Sequence, residues 1–163
     1  MSLLDEIKEK SKGAFRPASV VDIASLRALG VPDDVLAFYR DSEPVRLIEI
    51  GKVRLWPVSH ILVENRDAVP GCYAQPSGYV VIATTIYGDA FCSDTRAASG
   101  TIAPVVLIAH DLEPESDEIR REDLAKLAKP IAASFEGFLE AFVSETLDIE
   151  PLYPPFDFGN GHR

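Results

Sequence analysis

Residues 79–110 read YVVIATTIYGDAFCSDTRAASGTIAPVVLIAH. The Val- and Ile-rich runs, bounded by turn residues, predict strands over 79–86, 90–95 and 104–109. Gly88-Asp89 makes the corner between the first two: glycine accepts a positive φ, and an aspartate side chain satisfies turn amides. Residues 96–103 read as an exposed loop. The stretch carries no G-x-S-x-G elbow, phosphate loop or paired metal ligands. It reads as the core of a sheet, in a module that binds something rather than converting it.

Working outward toward the N-terminus, Ser2 can cap a short amphipathic helix running to about Lys12, with Leu3, Leu4 and Ile7 on one side. Ser19 precedes VVDIASLRAL, a second helix with Val20, Ile23, Leu26 and Leu29 as its apolar stripe and Gly30 as its stop. Pro32 opens a third, where Asp33 and Asp34 suit the positive end of the helix dipole. From Pro44 the period changes to two. The segment VRLIEIGKVRLW predicts two antiparallel strands joined at Gly51-Lys52. Pro57 and Ser59 can start one or two helical turns through HILVENRD, and residues 68–77 read as a surface loop.

Toward the C-terminus, residues 111–117 form an acidic loop containing Pro114. REDLAKLAK predicts a helix that ends before Pro130. A last helix is predicted over IAASFEGFLEAFVSETL, with Phe135, Phe138 and Phe142 on one buried face. The fold predicted is a single α+β domain: a central twisted, mainly antiparallel sheet flanked by N-terminal and C-terminal helices. Residues 1–18 form an N-terminal helix and arm, 19–150 the domain, and 151–163 a Pro- and Gly-rich tail whose aromatics can fold back.

The 163 residues are enough for one core without disulfides, and 47% hydrophobic content with a mean hydropathy near zero describes a globular chain. No window approaches the ~18 apolar residues of a membrane span. The charged N-terminus lacks the apolar stretch of a secretory signal. Two cysteines are too few for a disulfide framework, so the thiols read as reduced and the location as cytoplasmic. Of the net charge of −10, −8 lies in residues 111–150, which hold 12 acids and 4 bases. A field of that sign repels nucleic-acid backbones and anionic membranes and attracts a basic partner.

The chemistry-bearing residues do not assemble in sequence. His60, His110 and His162 lack the local pairing of a zinc site, and nothing else implies a cofactor. Cys92 reads as a small core residue, because an activated thiol needs an electropositive setting. Asp89 and Asp94, five apart, fall on opposite faces of a strand. A hydrolase would require Asp89, Asp94 and His110 to converge on one pocket. Trp56 reads as core.

These elements, in this order, resemble the SUKH superfamily, which includes bacterial toxin-immunity proteins and a yeast regulator of cell-wall synthesis. The likeness rests on Leu29-Gly30-Val31-Pro32 with Leu36, Phe38 and Tyr39, and on residues 53–57 with Ile61 and Asn65. It continues through residues 80–83, Gly88-Asp89, Phe91 and Asp94, residues 104–106 with His110, and Ser134-Phe135-Glu136-Gly137-Phe138-Leu139. Together these span roughly residues 20–145. The chain departs from the family at Asp41-Ser42-Glu43-Pro44, where an Asn-Gly is usual, and at Tyr87-Gly88, where a glycine doublet is usual. The resemblance implies an α+β fold, no enzymatic activity and, in the bacterial branch, the blocking of a cognate toxin, often a nuclease or deaminase. With no apolar periodicity and five acids, the segment DLEPESDE is the expected partner-binding surface, through Asp111, Glu113, Glu115, Asp117 and Glu118. A cognate, basic toxin domain is the expected partner. A regulatory scaffold with several protein partners is the alternative.

Overall fold

The computed structural model describes residues 1–112 and 119–152. Six strands form one antiparallel sheet in strictly sequential order: β3 (Ile48–Ile50), β4 (Val53–Leu55), β5 (Tyr79–Thr85), β6 (Ala90–Asp94), β7 (Val105–Ile108) and β8 (Lys129–Ala132). A small separate ribbon pairs β1 (Phe15–Arg16) with β2 (Glu43–Pro44). This is the mixed α+β architecture that the sequence pattern predicts.

The central strands are buried along their whole length because both faces of the sheet are covered. Continuous apolar runs, rather than alternating ones, are what such strands require. Val80, Ile82, Phe91, Val105 and Leu107 face the larger core, which is filled from α1 (Leu3–Ser11), α2 (Val20–Leu29), α3 (Asp33–Asp41), α4 (Val58–Arg66) and α7 (Phe135–Ser144). Tyr79, Val81, Ala90, Cys92, Val106 and Ile108 face a smaller one, closed by α5 (Gly71–Ala74) and α6 (Arg121–Leu127). The Phe stripe of α7 lies in the larger core, with Phe138 5.0 Å from Phe91 between ring centroids.

Helix signals in the sequence carry through to structure. Ser2 closes a capping box on α1, Ser19 caps α2, and Gly30 ends α2 at φ 92°. Of the predicted α2 stripe, Ile23, Leu26 and Leu29 are buried and Val20 is exposed. Pro32 is the residue before α3 rather than its first helical residue.

Two segments differ from expectation. Residues 68–77 are not a surface loop: they hold α5 and a 3-10 turn (Gln75–Ser77), with Ala74 fully buried in the smaller core. Gly71 is fitted so closely that a Cβ there would lie 1.8 Å from the Glu64 carbonyl oxygen. Its Pro and Gly residues therefore serve packing as well as turning. Residues 129–132 are strand β8, not the start of the last helix, which begins at Phe135 behind the Ser134 cap. Lys-Pro-Ile-Ala can serve there because β8 is an edge strand paired only to β7, and a proline is tolerated where one side needs no donor.

Candidate partner-binding surface

One end of the sheet gathers the turn at Gly51-Lys52, the β5–β6 turn, and the exit of β7 into the acidic segment. The β5–β6 turn is tightly tied. Thr85 Oγ1 accepts from the backbone N–H groups of Tyr87 and Asp89, each at 3.2 Å, and Gly88 N donates to the Thr85 carbonyl. Gly88 takes φ 94°, a left-handed value that favours glycine. The sequence-level reading of Gly88-Asp89 as a corner holds. Tyr87 is left projecting from it, 52% exposed, with Lys52 Nζ 5.9 Å from its ring centroid.

Asp89 does more than close the turn. Its carboxylate is buried, and Oδ1 accepts from the backbone N–H of His110 at 2.9 Å and from its ring Nδ1 at 2.7 Å. Thr85 Oγ1 reaches Oδ2 at 3.4 Å. Because a carboxylate only accepts, Nδ1 carries the proton in this contact. The His110 side chain is 46% exposed while its partner is 3% exposed. The pair therefore fixes the orientation of a half-exposed ring. This relationship was missed in the sequence: the two residues lie 21 apart, and each has an ordinary explanation taken alone.

Asp94 does not join them. It ends β6 at the opposite end of the strand, where its Oδ1 pairs with Arg121 at 2.6 Å. Arg121 also donates to the Ser77 carbonyl at 2.6 Å and lies over the Tyr79 ring at 4.4 Å. Asp89, Asp94 and His110 thus form no shared pocket. Cys92 is fully buried on the face of the smaller core, its thiol pushed well up by burial and further by the nearby Asp94 charge. That is the opposite of an activated nucleophile. His60 stacks on Trp56 at 3.6 Å and reaches Glu64 at 3.3 Å. Burial raises the Glu64 carboxyl, an effect opposed by His60. Trp56 is half-buried and donates from Nε1 to Thr84 Oγ1 at 2.7 Å. Among the described residues no group of three or more His, Cys, Asp and Glu could hold a metal ion, and no helix is long and apolar enough to cross a membrane.

Of the acidic segment, Asp111 is exposed, next to His110. Glu113, Glu115, Asp117 and Glu118 lie outside the described residues, as do His162 and residues 153–163 of the tail. The two ends of the segment are anchored. Leu112 is buried in the smaller core, and Ile119 packs against it. Arg121, two residues on, holds the start of α6 to β6.

The fold is a sequential six-stranded antiparallel sheet with apolar layers on both faces. The family model of the SMI1 / KNR4 family (SUKH-1) matches residues 17–141. That is most of the chain, which therefore belongs to this family. Its members are generally non-enzymatic protein-binding modules, of immunity or regulator type. A search of curated proteins finds no match to the chain.

Proposed function

We propose that the chain is an immunity-type module that binds and neutralises a basic toxin domain in the cytoplasm. The observation that carries this reading is the concentration of −8 of the net −10 charge in residues 111–150, of which −5 falls on the segment 111–118, whose Leu112 and the adjoining Ile119 are held to the smaller core. Such a field steers a basic partner into encounter and accelerates association in a salt-dependent way. Asp111, Glu113, Glu115, Asp117 and Glu118 are the proposed contacts. Two free cysteines, one of them buried, suit a reducing compartment.

The test is co-purification with a toxin domain encoded beside this gene, followed by binding kinetics. Expected are a stable complex, association that slows steeply with salt, and slower association when the five acids are changed to Asn and Gln. Salt-independent association, or unchanged kinetics in the neutralised variant, would overturn the electrostatic reading. A neighbourhood with no toxin-like gene, together with comparable binding to several unrelated proteins, would favour the regulator-type scaffold.

A further inference from the structure

We infer, resting on the basic-partner reading above, that Asp89 and Asp94 are two grips that hold the ends of the acidic segment, with His110 and Arg121 as the positioning residues they hold.

The two carboxylates bracket one strand. Asp89 immediately precedes β6 and Asp94 ends it, so five steps of about 3.3 Å set them roughly 17 Å apart. Asp89 takes His110, the residue just before the acidic segment, through its backbone N–H at 2.9 Å and its ring Nδ1 at 2.7 Å. Asp94 takes Arg121, three residues beyond the segment, at 2.6 Å. A single strand thus holds both ends of the connection from β7 to α6. Inside the grips, Leu112 is buried in the smaller core and Ile119 packs against it.

Both grips are built at a cost. Burying a carboxylate is unfavourable unless it is well paired, and these two side chains are only 3% and 12% exposed. Arg121 is held from three directions. Besides Asp94 it donates to the Ser77 carbonyl at 2.6 Å, and its guanidinium lies over the Tyr79 ring at 4.4 Å. Tyr79 itself faces Asp94 across the β5–β6 ladder. A planar guanidinium held by two hydrogen bonds and a ring retains little freedom. A segment whose ends are fixed in this way loses less entropy when a partner orders it than one whose ends are free.

Position and net charge make opposite predictions for Arg121. Removing this cation makes the chain more acidic, so a field acting alone would draw a basic partner in more strongly. Releasing the end of the segment weakens binding instead.

The experiment is an NMR titration of the isotopically labelled full chain with a nona-arginine peptide, at low and at physiological salt. Affinities are read from the amide shifts of residues 111–121, at a temperature where circular dichroism shows every variant folded. Arg121→Met should weaken binding about three- to tenfold despite the added negative charge, the scale of ordering one more side chain on binding. Arg121→Lys keeps the charge but loses the planar fork, and should weaken binding about two- to threefold. His110→Ala leaves the backbone bond to Asp89 in place and should weaken it about twofold. Arg121→Met binding as tightly as the parent, or more tightly, would overturn this inference alone. Should that variant not fold, Arg121→Lys decides in the same way, and affinity equal to the parent's would overturn it. A peptide that binds the parent nowhere at low salt would overturn the basic-partner reading, and this inference with it.

Discussion

Asn65 on α4 and Val81 on β5 are joined by a reciprocal pair of hydrogen bonds: the Val81 N–H donates to Asn65 Oδ1 at 2.8 Å, and Asn65 Nδ2 donates to the Val81 carbonyl at 3.0 Å. The amide acts as one residue of a missing strand. β4 pairs with β5 only at Thr84 and Thr85, so the earlier part of β5 needs another partner on that side. The need falls at the register shift between Val81 and Ala83, where the ladder to β6 is also interrupted. Asn65 is 2% exposed and spends its other amide hydrogen on the Ile61 carbonyl.

Asn65→Ala should therefore destabilise the protein by about 3 kcal/mol or more, because it leaves two buried backbone groups of Val81 unpaired. Asn65→Asp should be no better. It retains an acceptor for the Val81 N–H but sets a carboxylate against two carbonyl oxygens. Denaturant unfolding of the three proteins measures this, and a loss below about 1 kcal/mol for Asn65→Ala would refute the strand-substitute account.

Legibility divides along the same line between local and non-local causes. The caps at Ser2, Ser19 and Gly30, the turn at Gly51-Lys52 and the three central strands follow from neighbours in sequence, and each is visible there. The SUKH likeness drawn from those elements agrees with the family match. Asn65 could be noted as a motif residue, but its purpose depends on a strand 16 positions away. β8 was hidden because Lys129-Pro130 reads as a helix stop, and only pairing with β7 makes it a strand. The Asp89–His110 pair was hidden for the same reason.

Glu43 gives a second test of a non-local bond. It is 3% exposed, and its Oε1 accepts from the Val58 N–H at 2.9 Å, capping α4 from a distant ribbon because Pro57 offers no side-chain cap. Arg16 approaches the other oxygen at 3.4 Å but is largely exposed. Glu43→Gln, which keeps an acceptor, should cost under about 1 kcal/mol, whereas Glu43→Ala should cost about 2 kcal/mol. Equal losses in the two variants, read by thermal unfolding, would show that the cap is not the operative contact.

The two thiols should react very differently. Cys92 is fully buried with its thiol pushed up, whereas Cys72 is partly exposed on α5. Brief iodoacetamide treatment of the native protein should give a single adduct at Cys72 by peptide mass spectrometry, with Cys92 modified only in denaturant. Native labelling of Cys92 at a comparable rate would mean that the smaller core opens readily.

Alkaline pH should unfold the protein in part through Tyr39. Its hydroxyl is buried and donates to the Trp56 carbonyl at 3.1 Å, and burial, with the Glu43 charge as a lesser contribution, raises its pKa well above the ordinary 10.0. The folded state thus holds this proton more tightly than the unfolded chain. Its contribution is fully present below the unfolded value and is lost as pH climbs above it toward the folded one. Above about pH 10 each such group steepens the loss of stability by up to about 1.4 kcal/mol per pH unit. Tyr39→Phe should cost about 1 kcal/mol at neutral pH for the lost hydrogen bond, yet its stability should fall more gently above pH 10. Urea unfolding across that range separates the offset from the slope, and parallel alkaline slopes for the two proteins would exclude Tyr39 as a titrating group.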